Sequence, residues 1–194
     1  MSKEKIGILL GSFDPIHIGH IAMATSCLNE GLVDEVLFTP TMQNVFKKRK
    51  ATDFLHRCNM ISSALIDLPN CKLNSIDCMT DPPYYSSNTL KLIKEIYPDE
   101  ELYLIFGIDT LCELGEWHES EWIMNNFKII EVTRGLRATS GGNVPRVQLD
   151  LGVSSTMIRK LISEKKEIIP YVRQSVKDYI KYHNLYNEEL ELHD

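Results

Sequence analysis

Two histidines three residues apart open the part of this sequence that is best suited to chemistry. His17 and His20 belong to residues 11–20, GSFDPIHIGH, which follow the apolar run at 5–10 and precede a helical pattern of apolar residues. If the helix begins at or near His17, both imidazoles project from one face of its first turn. That turn also carries unpaired backbone N–H groups and the positive end of the helix dipole. The pair is therefore placed to donate hydrogen bonds to a phosphate in a transition state.

The neighbours of these histidines favour an anion site over an ordinary helix start. Gly11 lets the backbone turn closely beneath a ligand, Ser12 adds a hydroxyl, and Pro15 stiffens the start of the helix. A zinc site is less well supported, because no third His or Cys lies nearby at a ligand spacing. Capping and packing would explain a histidine pair alone, but not its combination with Gly11, Asp14 and Gly19.

A second stretch, VSSTMIRK at 153–160, has the same character. Ser154, Ser155 and Thr156 stand where a helix begins, and Arg159 returns one turn later on the face of Thr156. An N-capping cluster explains one serine, but not three hydroxyls followed by a guanidinium in register. Together they form a second anion site, built from a helix N-terminus, hydroxyls and a bidentate donor.

Length and composition limit the classes of protein. The 194 residues, 43% of them hydrophobic, suffice for one substantial core, and we expect a single domain over 1–186 with an acidic tail at 187–194. A net charge of −6 argues against a general nucleic-acid binder. Five cysteines without a C-x-x-C pair fit reduced thiols, and no apolar run is long enough to span a membrane. The sequence thus predicts a cytoplasmic protein with no nucleic-acid or membrane partner, and it leaves open whether the protein forms a homo-oligomer.

Apolar runs and helical patterns alternate along the chain. We predict strands at 5–10, 35–40, 71–76, 101–107 and 127–133, and helices from about 17 to 30, 54 to 66 and 88 to 97. Strands separated by helices of this size imply right-handed crossovers and a mostly parallel sheet. The predicted fold is a doubly wound, Rossmann-like α/β domain, in which ligands bind beyond the carboxyl ends of the strands.

Two polar features follow predicted strands and are candidate walls of such a site. Lys47 begins the run KKRK after the second strand, where a cation could reach a triphosphate, although a solvated basic loop explains the run alone. Gly107 and Asp109 end the clearest strand in the middle of the chain. Asp109 can cap a helix, or it can accept hydrogen bonds from the vicinal hydroxyls of a ribose; both can hold together.

Trp117 lies among glutamates and a histidine, in surroundings too polar for a deep core. A tryptophan in a cleft offers a flat face on which a heteroaromatic ring can stack, with extra attraction if that ring is cationic. A pyridinium ring has both properties.

These motifs resemble those of a known superfamily. Residues 11–20 resemble the G-[TS]-F-D-P-x-H-x-G-H signature of the nucleotidyltransferases, and 153–159 resemble the [IV]-S-S-T-x-I-R motif that holds ATP phosphates there. The G-x-D at 107–109, Trp117, HR at 56–57, VTR at 132–134 and YHNLY at 182–186 extend the likeness over roughly residues 5 to 186. As a whole, the chain resembles the nicotinate and nicotinamide mononucleotide adenylyltransferases.

The resemblance implies adenylyl transfer from ATP to nicotinate mononucleotide, which gives deamido-NAD and pyrophosphate in NAD biosynthesis. It implies Mg²⁺ as the ion that accompanies ATP, with no metal-ligating side chains, because phosphates and water hold most of its coordination sphere. The implied catalytic residues are His17, His20, Lys47 and Arg159. The implied ATP-binding residues are Gly11, Ser12, Phe13, Gly107, Asp109, Ser154, Ser155 and Thr156, and the implied pyridine-nucleotide-binding residues are Ser86, Thr89, Trp117 and Arg134.

Three other functions remain open at this point. The chain has Leu10 where the family often has glycine, and NVFK at 44–47 where the family has P-P-H-[KR]. These departures would suit a nucleotide-binding regulator without activity. The segment YYSSNT at 84–89 departs from the family's S-Y-T-x-D-T, so nicotinamide mononucleotide is an alternative substrate. Phosphopantetheine adenylyltransferase shares the first motif, but Trp117 and the G-x-D context fit it poorly.

Overall fold

Six parallel strands form the single sheet of the computed structural model, which describes residues 3–43, 51–134, 145–149 and 151–187, with Arg134 described by its backbone alone. In chain order the strands are β1 (Lys5–Gly11), β2 (Glu35–Pro40), β3 (Cys71–Leu73), β4 (Glu101–Gly107), β5 (Lys128–Arg134) and β6 (Arg146–Leu149). Their order across the sheet is β3-β2-β1-β4-β5-β6. The predicted doubly wound, Rossmann-like α/β fold is confirmed, and strand order reverses between β1 and β4.

Seven helices connect and cover the strands. They are α1 (Ile18–Asn29), α2 (Phe54–Leu65), α3 (Ser86–Ile96), α4 (Ile108–Glu113), α5 (Ser120–Asn126), α6 (Ser155–Ser163) and α7 (Gln174–Tyr182), all within the described ranges. Short 3₁₀ turns lie at Ile76–Met79 and Leu114–Glu116. Asp53 caps α2 by accepting a hydrogen bond from the Leu55 N–H at 2.9 Å. No helix in the described part of the chain is long and apolar enough to cross a membrane.

The core has two layers, one on each face of the sheet. Leu9, Phe38 and Ile105 point into the layer that α1, α2, α6 and α7 cover. Ile8 and Leu104, from the same strands as Leu9 and Ile105, point into the layer below α3 and α5. Because successive residues of a strand face opposite sides, the apolar runs of β1 and β4 fill both layers. The two layers thereby fix the strands and the positions of their carboxyl ends.

Several elements differ from the sequence prediction, and α5 and α7 are not among the predicted helices. The third strand ends at Leu73 rather than at residue 76, because a 3₁₀ turn with the buried Asp77 follows it. Helix α3 begins at Ser86, two residues earlier than predicted. Strand β6 was not predicted, because only Val147 of its four residues is buried. Of the predicted acidic tail, only Asn187 is among the described residues.

Candidate active site

The two histidines of the first motif stack on one another at the start of α1. His17 is the N-cap residue and His20 lies three residues on, with ring centroids 3.7 Å apart and ring planes 17° from parallel. The His17 N–H donates a hydrogen bond of 3.3 Å to Nδ1 of His20. Because Nδ1 of His20 acts as an acceptor, a neutral His20 ring carries its proton on Nε2. That N–H is the donor His20 can offer to a phosphate.

The backbone N–H groups of this helix start are less available than the sequence suggested. The Ile18 N–H donates to the carbonyl of Tyr171 at 2.9 Å, and the His20 N–H donates to the carbonyl of His17 at 3.0 Å. With the His17 N–H bonded to Nδ1 of His20, three of the four N–H groups at residues 17–20 are therefore already bonded within the protein. Recognition of an anion here depends more on the imidazoles than on the helix terminus.

Phe13 and Gly11 pack against each other beneath His20. The Phe13 ring is 1% exposed and lies edge-on to His20, with ring centroids 4.8 Å apart. The Phe13 side chain therefore belongs to the core and helps to orient His20, and ATP binding at Phe13 stays a prediction. Gly11 has no positive φ; a Cβ there would lie 3.3 Å from the Phe13 ring. The glycine makes room for the phenyl ring.

The second motif lies directly against the first. Ser155 Oγ donates to the Pro15 carbonyl at 2.9 Å, and Arg159 Nη1 donates to the Asp14 carbonyl at 2.7 Å. Arg159 Nη2 donates to Thr156 Oγ1 at 3.0 Å, as their spacing along α6 predicts. The helix α6 and the loop of the first motif thus form one rigid surface.

Each of the three predicted phosphate-binding hydroxyls has a hydrogen-bond partner within the protein. Ser154 is the N-cap of α6, and its Oγ accepts from the Met157 N–H at 3.2 Å. Ser155 is occupied by its bond to the signature loop, as described above. The Ser155 hydroxyl donates its proton to Pro15, whereas the Ser154 hydroxyl accepts and keeps its proton to donate, so ATP binding by these two side chains stays a prediction. Thr156 is exposed beside Arg159 and stays available.

Gly107 lies at the point where strand order reverses. It lines a pocket whose other walls come from α1, β5 and the chain around β6, namely His17, Gly19, His20, Met23, Val132, Leu149, Leu151 and Val153. A Cβ built on Gly107 would meet no atom within 4 Å, so packing does not require this glycine. The histidine pair therefore shares one mostly apolar pocket with the end of β4.

Asp109 lies in the first turn of α4 and is exposed. It does not cap that helix, because the N-cap position is occupied by Gly107. The capping interpretation is therefore wrong, which leaves ribose recognition as the role for which its position is suited.

Trp117 packs at the other side of β4. Its ring lies edge-to-face on Phe106, with centroids 5.5 Å apart and planes at 70°. Half of the residue is buried, and the buried Nε1–H has no hydrogen-bond partner among the described residues. A buried donor without a partner costs free energy, so this N–H is suited to a ligand acceptor.

The segment around Ser86 lies next to Trp117, as expected for two walls of one subsite. Ser87 Oγ and His118 Nδ1 are 2.9 Å apart, and the rings of Tyr85 and His118 stack with centroids 4.2 Å apart. Ser86 is the first residue of α3. The predicted substrate contact through the Thr89 side chain is wrong, since Thr89 is fully buried and its hydroxyl donates to Asp77.

Two predicted residues cannot be placed at the site. Lys47 lies outside the described residues. The backbone of Arg134 ends β5, opposite Leu149 of β6, at the same edge of the sheet as the two histidines. The side chain of Arg134 is not among the described parts.

Arg57 organises the loops of the site, and the sequence did not assign it a role. It lies on α2, is 1% exposed and donates four hydrogen bonds to backbone carbonyls. Nε reaches Thr52 at 2.8 Å, Nη1 reaches Ser12 at 2.8 Å and Thr41 at 2.7 Å, and Nη2 reaches Met42 at 3.1 Å. One guanidinium therefore ties the ends of β1 and β2 to the chain that leads into α2.

The charge of Arg57 is balanced within the same region. Burial lowers the pKa of Arg57, and the nearby negative charge of Asp14 opposes that shift. A sequence signal was present, because Arg57 is in register with Met60, Ile61 and Ala64 on the buried face of the predicted helix. A charged side chain on an apolar face needs internal partners.

Comparison with known proteins identifies the family to which this chain is similar. A cytidylyltransferase-like family model matches residues 8–161. The probable nicotinate-nucleotide adenylyltransferase of Carboxydothermus hydrogenoformans is 32% identical over 200 residues, which cover 96% of this chain and 100% of the relative. The nicotinate-nucleotide adenylyltransferase of Bacillus subtilis is 33% identical over 190 residues, 94% of this chain and 98% of the relative. The solved structure of the Plasmodium falciparum nicotinic acid mononucleotide adenylyltransferase complexed with NaAD has the same fold, with a TM-score of 0.82, 23% identity and coverage of 97% and 100%.

Proposed function

Because the chain belongs to the cytidylyltransferase-like family and, within it, to the nicotinate-nucleotide adenylyltransferases, we propose how its residues perform that reaction. The protein is a nucleotidyltransferase that transfers the adenylyl group of ATP to nicotinate mononucleotide, forming deamido-NAD and pyrophosphate for NAD biosynthesis. The observation that carries the assignment of the site is the stacked pair of His17 and His20. It lies beside the pocket at the end of β4 and against the start of α6.

The reaction needs positioning and charge neutralisation rather than a covalent intermediate. An oxygen of the mononucleotide 5′-phosphate forms a bond to the α-phosphorus of ATP, and the bond to the bridging oxygen breaks, so that pyrophosphate leaves. His20 donates through Nε2–H, and His17 beside it donates to the same α- and β-phosphates. Holding both substrates in line supplies much of the rate, and the preformed donors supply the rest.

ATP is proposed to bind across the start of α1 and α6. The pocket at Gly107 receives the adenosine, and Asp109 accepts hydrogen bonds from the ribose hydroxyls. Arg159 and Thr156 face the triphosphate from α6. Lys47 is proposed to reach the same phosphates from the loop after β2, on the sequence alone.

Magnesium is proposed to arrive with ATP. No group of three or more His, Cys, Asp or Glu side chains in the described ranges is placed to hold a metal ion. We propose that phosphate oxygens and water supply most of the ligands of the ion. When bound, Mg²⁺ would neutralise charge on the phosphates, while the protein residues orient them.

The pyridine ring is proposed to stack on Trp117. The segments around Ser86 and His118 meet beside it through the Ser87 and Tyr85 contacts. The names of the relatives support nicotinate, whose ring carries a carboxylate, as the base of the mononucleotide. A cytoplasmic location and a homo-oligomeric state stay predictions.

We expect the enzyme to prefer nicotinate over nicotinamide mononucleotide by a factor on the order of 10 to 100, since one unmatched buried polar group costs about 1–3 kcal/mol. No arginine or lysine lies in residues 84–89 or 115–119, so we expect backbone N–H groups near Ser86 and Trp117 to bind the carboxylate. Trp117→Ala should harm both substrates alike, because stacking does not read the substituent. Measured kcat/KM for the two mononucleotides decides the preference, and a ratio at or below one for nicotinate would contradict it.

Arg159→Ala should weaken ATP binding by about tenfold or more, because a charge-assisted donor to the triphosphate is lost, and it should leave mononucleotide affinity nearly intact. Arg159→Lys should recover only part of the loss, since an ammonium cannot keep both the Asp14 and the Thr156 bonds. Calorimetric titration with each nucleotide measures both affinities. Lys160→Ala, at the exposed next position of α6, is the matched control. Lost mononucleotide affinity with unchanged ATP affinity would refute the assignment.

Product identification tests the proposed function directly. Incubation of the protein with ATP, Mg²⁺ and nicotinate mononucleotide should yield deamido-NAD and pyrophosphate in equal amounts, as measured by mass spectrometry and a pyrophosphate assay. Consumption of ATP to AMP without deamido-NAD would instead indicate hydrolysis.

A further inference from the structure

The last residues of the described chain reach back to the first motif. The Tyr186 hydroxyl donates a hydrogen bond of 2.7 Å to Oδ1 of Asp14, across 172 positions of sequence. Asp14 is 3% exposed, and the Tyr186 ring packs against the core layer of α1 and α2. The contact is therefore a partly buried one between a neutral donor and a carboxylate, a kind of hydrogen bond stronger than one between neutral groups.

Asp14 is a junction between three other parts of the site. Its Oδ2 accepts from the Thr52 N–H at 3.4 Å, in the segment that leads into α2. Its carbonyl accepts from Arg159 at 2.7 Å, and the next carbonyl, of Pro15, accepts from Ser155. His17 follows three residues later. A displacement of Asp14 would thus move the histidine pair relative to α6.

The Tyr186 hydroxyl keeps its proton and donates it to Asp14. Burial raises the pKa of its hydroxyl well above the usual value, and the charge of Asp14 adds to that shift, so the proton stays on the phenol. The backbone that brings the ring to this place is unusual, since Asn184 and Tyr186 have φ of 54° and 64°. Left-handed backbone in residues other than glycine persists only where surrounding contacts fix it. The Leu185 N–H, bonded to the Ile180 carbonyl at 3.0 Å, supplies one such contact.

We propose that Tyr186 is a positioning residue for adenylyl transfer, acting through Asp14 to hold the loop of residues 11–17 so that His17 and His20 face the reacting phosphates. The inference rests on the proposed function of this site. Tyr186 touches neither substrate in this account. Its loss should therefore lower kcat, which depends on alignment in the transition state, more than it raises either KM.

The test compares two tyrosines near the C-terminal end of the described chain. Tyr186→Phe removes the hydroxyl and keeps the ring, and kcat should fall by about tenfold or more, because small misplacements of catalytic groups cost up to about 100-fold. The KM values for ATP and nicotinate mononucleotide should stay within about threefold. Tyr179→Phe is the matched control. Its hydroxyl bonds Asn59 at 2.9 Å and lies 3.0 Å from Nδ1 of His56, away from the loop, so kcat should be unchanged.

A double-mutant cycle separates positioning from general destabilisation. Asp14→Ala removes the acceptor, and adding Tyr186→Phe to it should cause no further loss of kcat, because the two residues act as one unit. All rates are taken well below the thermal midpoints of the variants, with active enzyme counted by single-turnover burst. If Tyr186→Phe does not fold, Asp14→Ala alone provides the test, and the kcat of that variant must fall by about tenfold or more.

Two results would overturn the proposal. One is a Tyr186→Phe enzyme, or in its place an Asp14→Ala enzyme, whose kcat is within about twofold of the wild type. The other is additive losses in the double variant. A wild-type protein without adenylyl transfer in the same assay would instead overturn the proposed function.

Discussion

His20→Ala should lower kcat for adenylyl transfer by at least ~100-fold while the protein stays folded. The lost group is the Nε2–H donor, which is preformed because Nδ1 accepts from the His17 N–H. Losing one such donor to developing charge costs roughly 2.7–4 kcal/mol. Steady-state kinetics with circular dichroism of the folded protein measures both parts of the prediction.

A second variant separates the donor from the packing of the ring. His20→Asn can keep an acceptor near the position of Nδ1 but has no group in place of Nε2, so its loss should be similar to that of His20→Ala. His183→Ala, which removes an exposed histidine after α7, is the control and should leave kcat unchanged. A loss of less than about tenfold for His20→Ala would remove His20 from the catalytic step.

Arg57→Met should lower the free energy of unfolding by about 3–5 kcal/mol, the cost of removing one partner from a buried charged network. Four backbone carbonyls lose their donor, and the buried Asp14 loses a neighbouring positive charge. The free energy of unfolding of Arg57→Lys should lie between those of the wild type and Arg57→Met. An ammonium cannot reach carbonyls on both sides as the planar guanidinium does. Urea unfolding followed by circular dichroism gives the values.

A surface cation provides the comparison for Arg57. Lys72 is an exposed residue of the edge strand β3, and it pairs with Glu35 of β2. Lys72→Met should lower the free energy of unfolding by less than about 1 kcal/mol. A loss below about 1 kcal/mol for Arg57→Met as well would show that the loops at the ends of β1 and β2 do not depend on this side chain.

The strands that position the site were predictable because their pattern is local. β1, β2 and β4 are continuous apolar runs bounded by turn residues, which is typical of strands buried on both faces. β6 was missed for the opposite reason, since one buried residue in four gives no pattern. The fold class followed from the alternation of elements and did not require β6.

The two phosphate-binding motifs were predictable as motifs, but their contact was not. Arg159 and Asp14 are 145 positions apart, and Ser155 and Pro15 are 140 apart. Spacing along the chain does not encode such distances. The bond of the Ser155 hydroxyl to Pro15 depends on that packing and was therefore not predicted from the sequence.

Residues of the site whose side chains turn out to be buried were the hardest to interpret from sequence. Phe13 and Thr89 stand in polar motifs, yet both side chains are buried in the fold. Arg57 and Tyr186 have their partners on distant loops, so that only the tertiary structure shows what they hold. Their roles follow from burial, which creates the need for internal partners.

The most direct measurement is pyrophosphate release from ATP with nicotinate mononucleotide, nicotinamide mononucleotide and phosphopantetheine supplied in parallel at equal concentrations. We expect the fastest release with nicotinate mononucleotide, a rate lower by a factor on the order of 10 to 100 with nicotinamide mononucleotide, and no release above background with phosphopantetheine. Two results would contradict the assignment of this chain as a nicotinate-nucleotide adenylyltransferase. One is pyrophosphate release with phosphopantetheine but with neither mononucleotide, and the other is the absence of release with every one of the three acceptors.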